Sequence, residues 1–315
     1  MKIDFNNFQV NENGELNRQI NGDILVKEIE VKEYARGKYL SMIVTDGSND
    51  VKAVEWNYIP ANFLPRKNDV CSIVGKIGMY NSERNITVSS ILPGSCSITD
   101  FLVSNVDVED CKSKIADLVE GIKTPELNKG LCDVLNDYAD SFNSVPSAVS
   151  HHHDYYAGNL KHTTEVALST AHVCDLMIEM GYKINKDLAV TGAILHDIGK
   201  CTCYCMDGVV PSMTEVGKTH DHIVEGVLIL SKYKDVFGSY YSLLDEIICS
   251  HHGKLEFGSP VLPSFLEALI VSKMDGLSAA VAGMDKEIQS QSTRWGLKKS
   301  YAFGTHLLNF EIGEK

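Results

Sequence analysis

The segment KDLAVTGAILHDIGK, residues 186–200, reads as a helix that stops at Gly199 and ends on an adjacent pair, His196-Asp197. Neighbours on a helix point about 100° apart, given 3.6 residues per turn. One of the two can therefore bind an ion terminally while the other bridges two ions, and a carboxylate, with two oxygens, suits bridging. Working outward, ten of the eleven histidines fall between residues 151 and 252, and none precedes 151. His162 comes before the pair. His222 follows in THDHIVEG, then His251-His252 in SHHGK, where Gly253 fits a helix end, and then Asp275 in SKMDGLSA. Imidazole nitrogens and carboxylate oxygens are what borderline and hard divalent metals take. Seven such groups could hold one ion or two neighbouring ions.

From His151 onward every long segment has helical character. LKHTTEVALSTAHVCDLMIEMGY ends near Gly181, and HDHIVEGVLILSKYK, SLLDEIICSHH and PSFLEALIVSKMDGLSAAVAGM continue the pattern. With no strand run between them, an all-α domain is expected over residues 151–315, its ligands pointing from several helices into one bundle core. Residues 96–150 form a helical linker expected to pack on that domain. DVEDCKSKIADLVEGI places Cys111, Ile115, Leu118, Val119 and Ile122 at helical spacing, and Pro125 opens a second helix.

Residues 1–95 read differently. GDILVKEIEVKEY alternates over Ile24, Val26, Ile29 and Val31, with a slip that marks a β-bulge. KYLSMIVTD and VKAVEW flank the turn DGSND, a hairpin signal. NDVCSIVGKIGMY and NITVSSIL, joined by NSER, give strands four and five, and NYIPANFLPRK is left for a short helix or loop. Five strands in about seventy residues suggest a small closed barrel that looks like an OB-fold, a fold suited to single-stranded nucleic acid. The chain is thus a multi-domain α+β protein, a five-stranded barrel followed by an all-α bundle. Tyr34, Tyr39, Trp56 and Tyr80 lie on or beside the strands among Lys32, Arg36, Lys38, Lys52 and Lys76. Aromatic faces stack bases and basic groups meet phosphates. The same rings can be barrel core or edge, and an OB-fold can equally serve assembly.

The net charge of −13 argues against simple electrostatic capture of nucleic acid. It is unevenly placed. Residues 1–95 hold 11 Lys/Arg against 12 Asp/Glu, and the rest of the chain holds 18 against 30. No apolar run approaches bilayer length, and MKIDFNNFQVNENGEL lacks the apolar core of a signal peptide. With nine irregularly spaced cysteines read as reduced thiols, a cytoplasmic protein is expected. Cys201, Cys203 and Cys205 are read as a reduced, partly exposed loop, since their spacing is not that of a zinc ribbon.

The order His162, His196-Asp197, Asp275 resembles the HD superfamily of metal-dependent phosphohydrolases. With His222 and His251-His252 added, it resembles the superfamily's two-metal branch, which includes cyclic-dinucleotide phosphodiesterases and nucleases. More closely, HHHDYYAGNLKHTTEVA, ILHDIGK, TEVGKTHDHIVEG, SHHGKLEFGSPVLPSFLEA and SKMDGLSA resemble the YhaM family of 3′→5′ exoribonucleases, which join an OB-fold to an HD domain in this order. The chain departs from the family in GNLKH, in MDGL and in CTCYC.

The resemblance implies metal-dependent hydrolysis of phosphodiesters in single-stranded RNA, or single-stranded DNA, to nucleoside monophosphates. Asp197 would bridge, with His162, His196 and Asp275 around one ion and His222, His251 and His252 around the second. Lys200 would contact a substrate phosphate or protonate a leaving oxygen. Tyr34, Lys38, Tyr39, Trp56, His153 and Lys254 are the expected substrate contacts. His172, His220 and His306 are expected to be exposed or structural. The mixed ligands suit Mn²⁺, Fe²⁺, Co²⁺, Zn²⁺ or Ni²⁺ better than Mg²⁺, and the resemblance points to Mn²⁺ and to a homo-oligomer. A phosphodiesterase acting on a small or cyclic nucleotide, with the barrel used for assembly, is the main alternative. A nucleic-acid-binding protein with a vestigial metal site is the third reading.

Overall fold

Strand β1, Asn17–Tyr34, runs for 18 residues and pairs antiparallel along its first half with β4, Val70–Tyr80, and along its second half with β2, Gly37–Thr45. One long strand can serve two neighbours because the bulge predicted from the Ile24/Val26 to Ile29/Val31 slip is there. The β1–β2 register shifts between Val26 and Glu28. β3, Asp50–Glu55, continues the hairpin from β2 and pairs parallel with β5, Glu83–Pro93, which returns antiparallel to β4. The strands therefore close into a barrel in the order β1-β2-β3-β5-β4. Inward alternation fills it with Ile24, Val26, Leu40, Met42, Val44, Val51, Ala53, Ile73, Ile77, Ile86 and Val88. Val31, by contrast, is exposed.

This computed structural model describes residues 1–8, 16–35, 37–56, 58–59, 63–80, 83–102, 106–149 and 153–312. Arg36, His151 and His152, together with part of the segment between β3 and β4, lie outside the described residues. By internal contacts the chain forms two units. One comprises Met1–Val103 with Asp207–Val210, and the other Ser104–Met206 with Pro211–Lys315.

In the second unit the helices are α1 (Val108–Gly121), α2 (Pro125–Asp137), the single turn α3 (Ala139–Phe142), α4 (Gly158–Glu179) and α5 (Lys186–Leu195). They continue with α6 (Lys200–Cys203), α7 (Glu215–Ser231), α8 (Lys234–Phe237), α9 (Tyr241–Ser250) and α10 (Leu266–Gln289). α5 is the central helix, since Leu188 through Leu195 are all buried. Around it Leu127, Leu131, Leu160, Ile194, Phe237, Ile247 and Val271 belong to one apolar cluster.

The all-α expectation needs one correction. A short hairpin, β6 (Tyr204–Asp207) and β7 (Val210–Met213), stands between α6 and α7. The Asp207-Gly208 turn permits it, because Gly208 takes the left-handed φ of +68°. The cysteine segment is accordingly no loop. Cys201 and Cys203 are buried in α6 and only Cys205, in β6, is half-buried. Among the described residues no helix is long and apolar enough to cross a membrane.

Candidate metal centre

The end of α5 brings His196 and Asp197 into the interior, where both are buried. α4 contributes His162 from its second turn and α10 contributes Asp275. His251 and His252 follow the last turn of α9, where Gly253, with φ +70°, turns the chain away. His222 lies in α7 just after Asp221, whose φ of 62° and ψ of 159° kink the helix. Its neighbour's carboxylate accepts the His222 Nδ1–H.

Six of these side chains form two trios, His162–His196–Asp275 and His222–His251–His252, and within each trio the ligand atoms lie within 4.8 Å of one another. Asp197 stands between them. Its Oδ2 lies 3.4 Å from His162 Nε2 and 3.3 Å from His196 Nε2. Its Oδ1 lies 3.5 Å from His222 Nε2 and 3.6 Å from His251 Nε2. One carboxylate thus offers one oxygen to each trio.

The outward nitrogens explain why the inward ones are lone pairs. His196 Nδ1 donates to Ala193 O, His251 Nδ1 to Ile248 O and His252 Nδ1 to Phe257 O, each at 2.7 Å. His162 Nδ1 is 2.9 Å from Ser278 Oγ. Each Nε2 is then an acceptor facing other acceptors. Asp197 Oδ1, His222 Nε2 and His251 Nε2 are buried with no hydrogen-bond partner, and the His162 and His196 Nε2 atoms are 3.3 Å apart. Buried acceptors packed together are costly unless a cation lies among them. The donor set therefore fits divalent metal.

The electrostatics agree. Burial disfavours charge on Asp197, yet Lys200 and His196 hold its carboxyl well below the usual range. Asp275 is held below that range too, against the effect of burial, chiefly by the hydrogen bond from His162. Burial pushes His251 far down and His252 down, leaving both rings neutral and able to coordinate. His162 differs. Burial opposes its charging, but Asp197 and Asp275 (Oδ1 at 3.2 Å) push it up to about 9.

Lys200 is buried, and its Nζ donates to Asp197 Oδ2 at 2.6 Å and to Ser147 Oγ at 3.0 Å. Lys254 is exposed, with Nζ 3.4 Å from Glu256 and 4.7 Å from the Phe257 ring centroid. His153, the remaining expected substrate contact of this domain, is buried beside Glu165. It is 3% exposed, with Nε2 3.3 Å from Glu165 and its ring centroid 5.5 Å from that of His162.

In the barrel, Tyr34, Tyr39 and Trp56 form one cluster with ring centroids 4.8–5.9 Å apart, and Trp56 is half exposed. Lys38 beside them pairs with Glu33. His172 and His220 are exposed, His220 against Glu225, and the exposed His306 bonds Gly296 O.

Four residues around the centre escaped the sequence reading: Ser147, Glu165, Asp221 and Ser278. Glu165 follows His162 by three positions and Ser278 follows Asp275 by three. On a helix that spacing places a partner on the ligand's own face.

Residues 159–280 match the family model of the HD domain. Along its length the chain is similar to proteins named 3′-5′ exoribonuclease YhaM. The protein from Geobacillus sp. (strain WCH70) is 26% identical over 87% of this chain and 86% of its own length. That from Bacillus pumilus (strain SAFR-032) is 26% identical over 87% and 89%. That from Listeria innocua serovar 6a is 25% identical over 84% and 87%. Among solved structures, the second OB-fold domain of replication protein A from Methanococcus maripaludis covers 25% of this chain and 84% of its own at 20% identity, with a TM-score of 0.20.

Proposed function

We propose that this HD-domain protein is a metal-dependent 3′→5′ exoribonuclease that hydrolyses single-stranded RNA, and single-stranded DNA as a second substrate, to nucleoside monophosphates. The observation that carries the reading is Asp197, buried, with one oxygen toward each of two histidine-containing trios. The similarity to exoribonucleases over most of the chain supplies the substrate class and the polarity.

His162, His196 and Asp275 would hold one divalent ion, His222, His251 and His252 the other, and Asp197 both. Mn²⁺ is the proposed metal, with Co²⁺, Fe²⁺, Zn²⁺ and Ni²⁺ as substitutes. Such ions supply acidified water as a nucleophile near neutral pH and offset the charge of a phosphoryl group. The chain's own part is to orient and to exclude water. Asp197 fixes the spacing of the two halves. Lys200 stabilises the Asp197 charge and supplies the nearest buried proton donor. Lys254 would meet the incoming backbone. The barrel, proposed as an OB-fold over residues 1–95, would stack bases on Tyr34, Tyr39 and Trp56, with Lys38 toward phosphate. Residues 96–150 would be its helical connection to a catalytic domain over 151–315. We further read the protein as a cytoplasmic homo-oligomer.

The test is incubation of the full chain with 5′-labelled single-stranded RNA and Mn²⁺, beside Asp197→Ala. A ladder shortening from the 3′ end, lost in the variant, is expected. Intact RNA together with turnover of a cyclic dinucleotide would replace this reading by the small-nucleotide phosphodiesterase one.

A further inference from the structure

Three of the site's histidines, His196, His251 and His252, are oriented by main-chain carbonyls, partners that cannot rotate. His162 is held instead by a hydroxyl, Ser278 Oγ, at 2.9 Å. A hydroxyl is an ambiguous partner. It can accept from Nδ1–H, or turn and donate to a bare Nδ1, which would move the ring proton to Nε2 and aim it into the site. The ambiguity is removed from behind, because Ser278 O–H donates to Glu165 Oε2 at 2.7 Å. With its only proton committed to a carboxylate, Ser278 can offer His162 nothing but a lone pair. Nδ1 must then carry the proton and Nε2 must face Asp197 and Asp275 as an acceptor.

Glu165 is itself tightly placed. His153 Nε2 lies 3.3 Å from Oε2 and Lys161 Nζ lies 3.2 Å from Oε1. The turn that delivers His153 is strained. His153 has φ +52° and Ala157 φ +60°, a region L residues seldom adopt. His153 O accepts from Ser147 N–H at 3.1 Å and presses on Gly158, where a Cβ would fall 2.0 Å from that oxygen. Ser147 is also the residue that holds Lys200. Strained backbone thus brings a ring to Glu165, with its centroid 5.5 Å from that of His162.

We propose that Glu165, acting through Ser278, is the positioning residue that fixes the tautomer and orientation of His162 and so selectively governs the ion held by His162, His196 and Asp275. His153 would brace Glu165. The inference rests on the reading of the two trios as metal ligands. Neither Glu165 nor Ser278 touches the reacting atoms in this assignment.

The test is a Co²⁺ titration of the metal-stripped full chain, read by visible absorbance and by competition with a chelator, with thermal unfolding as a check on folding. Wild type is expected to take two ions. Ser278→Ala and Glu165→Gln should keep one ion at wild-type affinity and weaken the other about 10- to 100-fold, the usual scale for losing an outer partner of a histidine ligand. Ser278→Thr, which retains the hydroxyl, should restore the second ion and its absorbance. Glu165→Gln serves should Ser278→Ala fail to fold. Two ions at unchanged affinity in either variant would overturn the proposal, as would equal weakening of both ions in a folded variant. Wild type taking no Co²⁺ would overturn the metal reading itself, a different result from either.

Discussion

Two lone pairs 3.3 Å apart, on His162 and His196 Nε2, require a positive charge between or beside them. Without metal, a proton on His162 supplies it. Burial resists that charge, but Asp197 and Asp275 raise the group from 6.5 to about 9. A raised folded-state value means that the proton's stabilisation is complete below about 6.5 and is lost as pH climbs through about 9. A divalent ion must displace this proton. At pH 7, metal loading should therefore release protons, and apparent affinity should climb with pH and level off near 9. Calorimetric titration in two buffers of different ionisation enthalpy measures this directly. Buffer-independent heats would show that His162 is already neutral. Asp197→Ala carries a separate cost, for it leaves Lys200 buried beside Ser147 with no counter-charge. Breaking a buried pair costs about 3–5 kcal/mol, so metal-free Asp197→Ala should unfold at clearly lower denaturant than wild type. An unchanged midpoint would mean that Lys200 reaches water in the variant. The side chains that gather in the two trios were legible in the sequence because histidine is scarce and concentrated there. Ser278 and Glu165 were not, because serine and glutamate are ordinary on helices and only their i+3 spacing from a ligand marks them.

At the level of elements, the site depends on α6 and α7 crossing closely enough for Asp197 and His222 to face each other. Gly199 permits the crossing. A Cβ there would lie 1.9 Å from His222 O and 2.5 Å from Gly226 N, both main-chain atoms that cannot swing aside. Gly199→Ala should therefore cost at least the 1–3 kcal/mol typical of overpacking and reduce metal content, because it pushes apart the elements carrying Asp197 and His222. Gly121→Ala, with nothing within 4 Å of the new Cβ, is the control and should be neutral. Equal melting temperatures for the two variants would refute the account. The same elements show where sequence periodicity succeeds. The β1 bulge was readable because side-chain direction has period two, so the step from Val26 to Ile29 could only be a slip. The β6–β7 hairpin was missed because four-residue strands are too short to show alternation, although Asp207-Gly208 carried the turn signal. The first turn of α7, from Glu215, lies outside the periodic run HDHIVEGVLILSKYK, since the non-helical Asp221 breaks the 3.6-residue pattern.

For the whole molecule, charge and aromatic placement pull in different directions. A net of −13 gives RNA no general attraction, and the near-neutral residues 1–95 relieve that repulsion without reversing it. Affinity for a single strand must then come mainly from stacking, which salt does not screen. The surface proposed for it is Tyr39 and Trp56, with centroids 4.8 Å apart, and Tyr34 edge-on to both. Each stacked base is worth about 1–3 kcal/mol by alanine substitution. Trp56→Ala should accordingly weaken binding of single-stranded RNA about 5- to 150-fold, with little change in the slope of affinity against salt. Hydrolysis of a small diester such as bis(p-nitrophenyl) phosphate needs the metal centre and not the barrel surface, so its rate should stay at the wild-type level. Fluorescence anisotropy at several salt concentrations, beside the small-diester assay, separates the alternatives. Equal loss of both activities would mean that Trp56 supports folding. Retention of RNA affinity with both activities intact would remove this surface from the substrate path and assign the barrel to assembly.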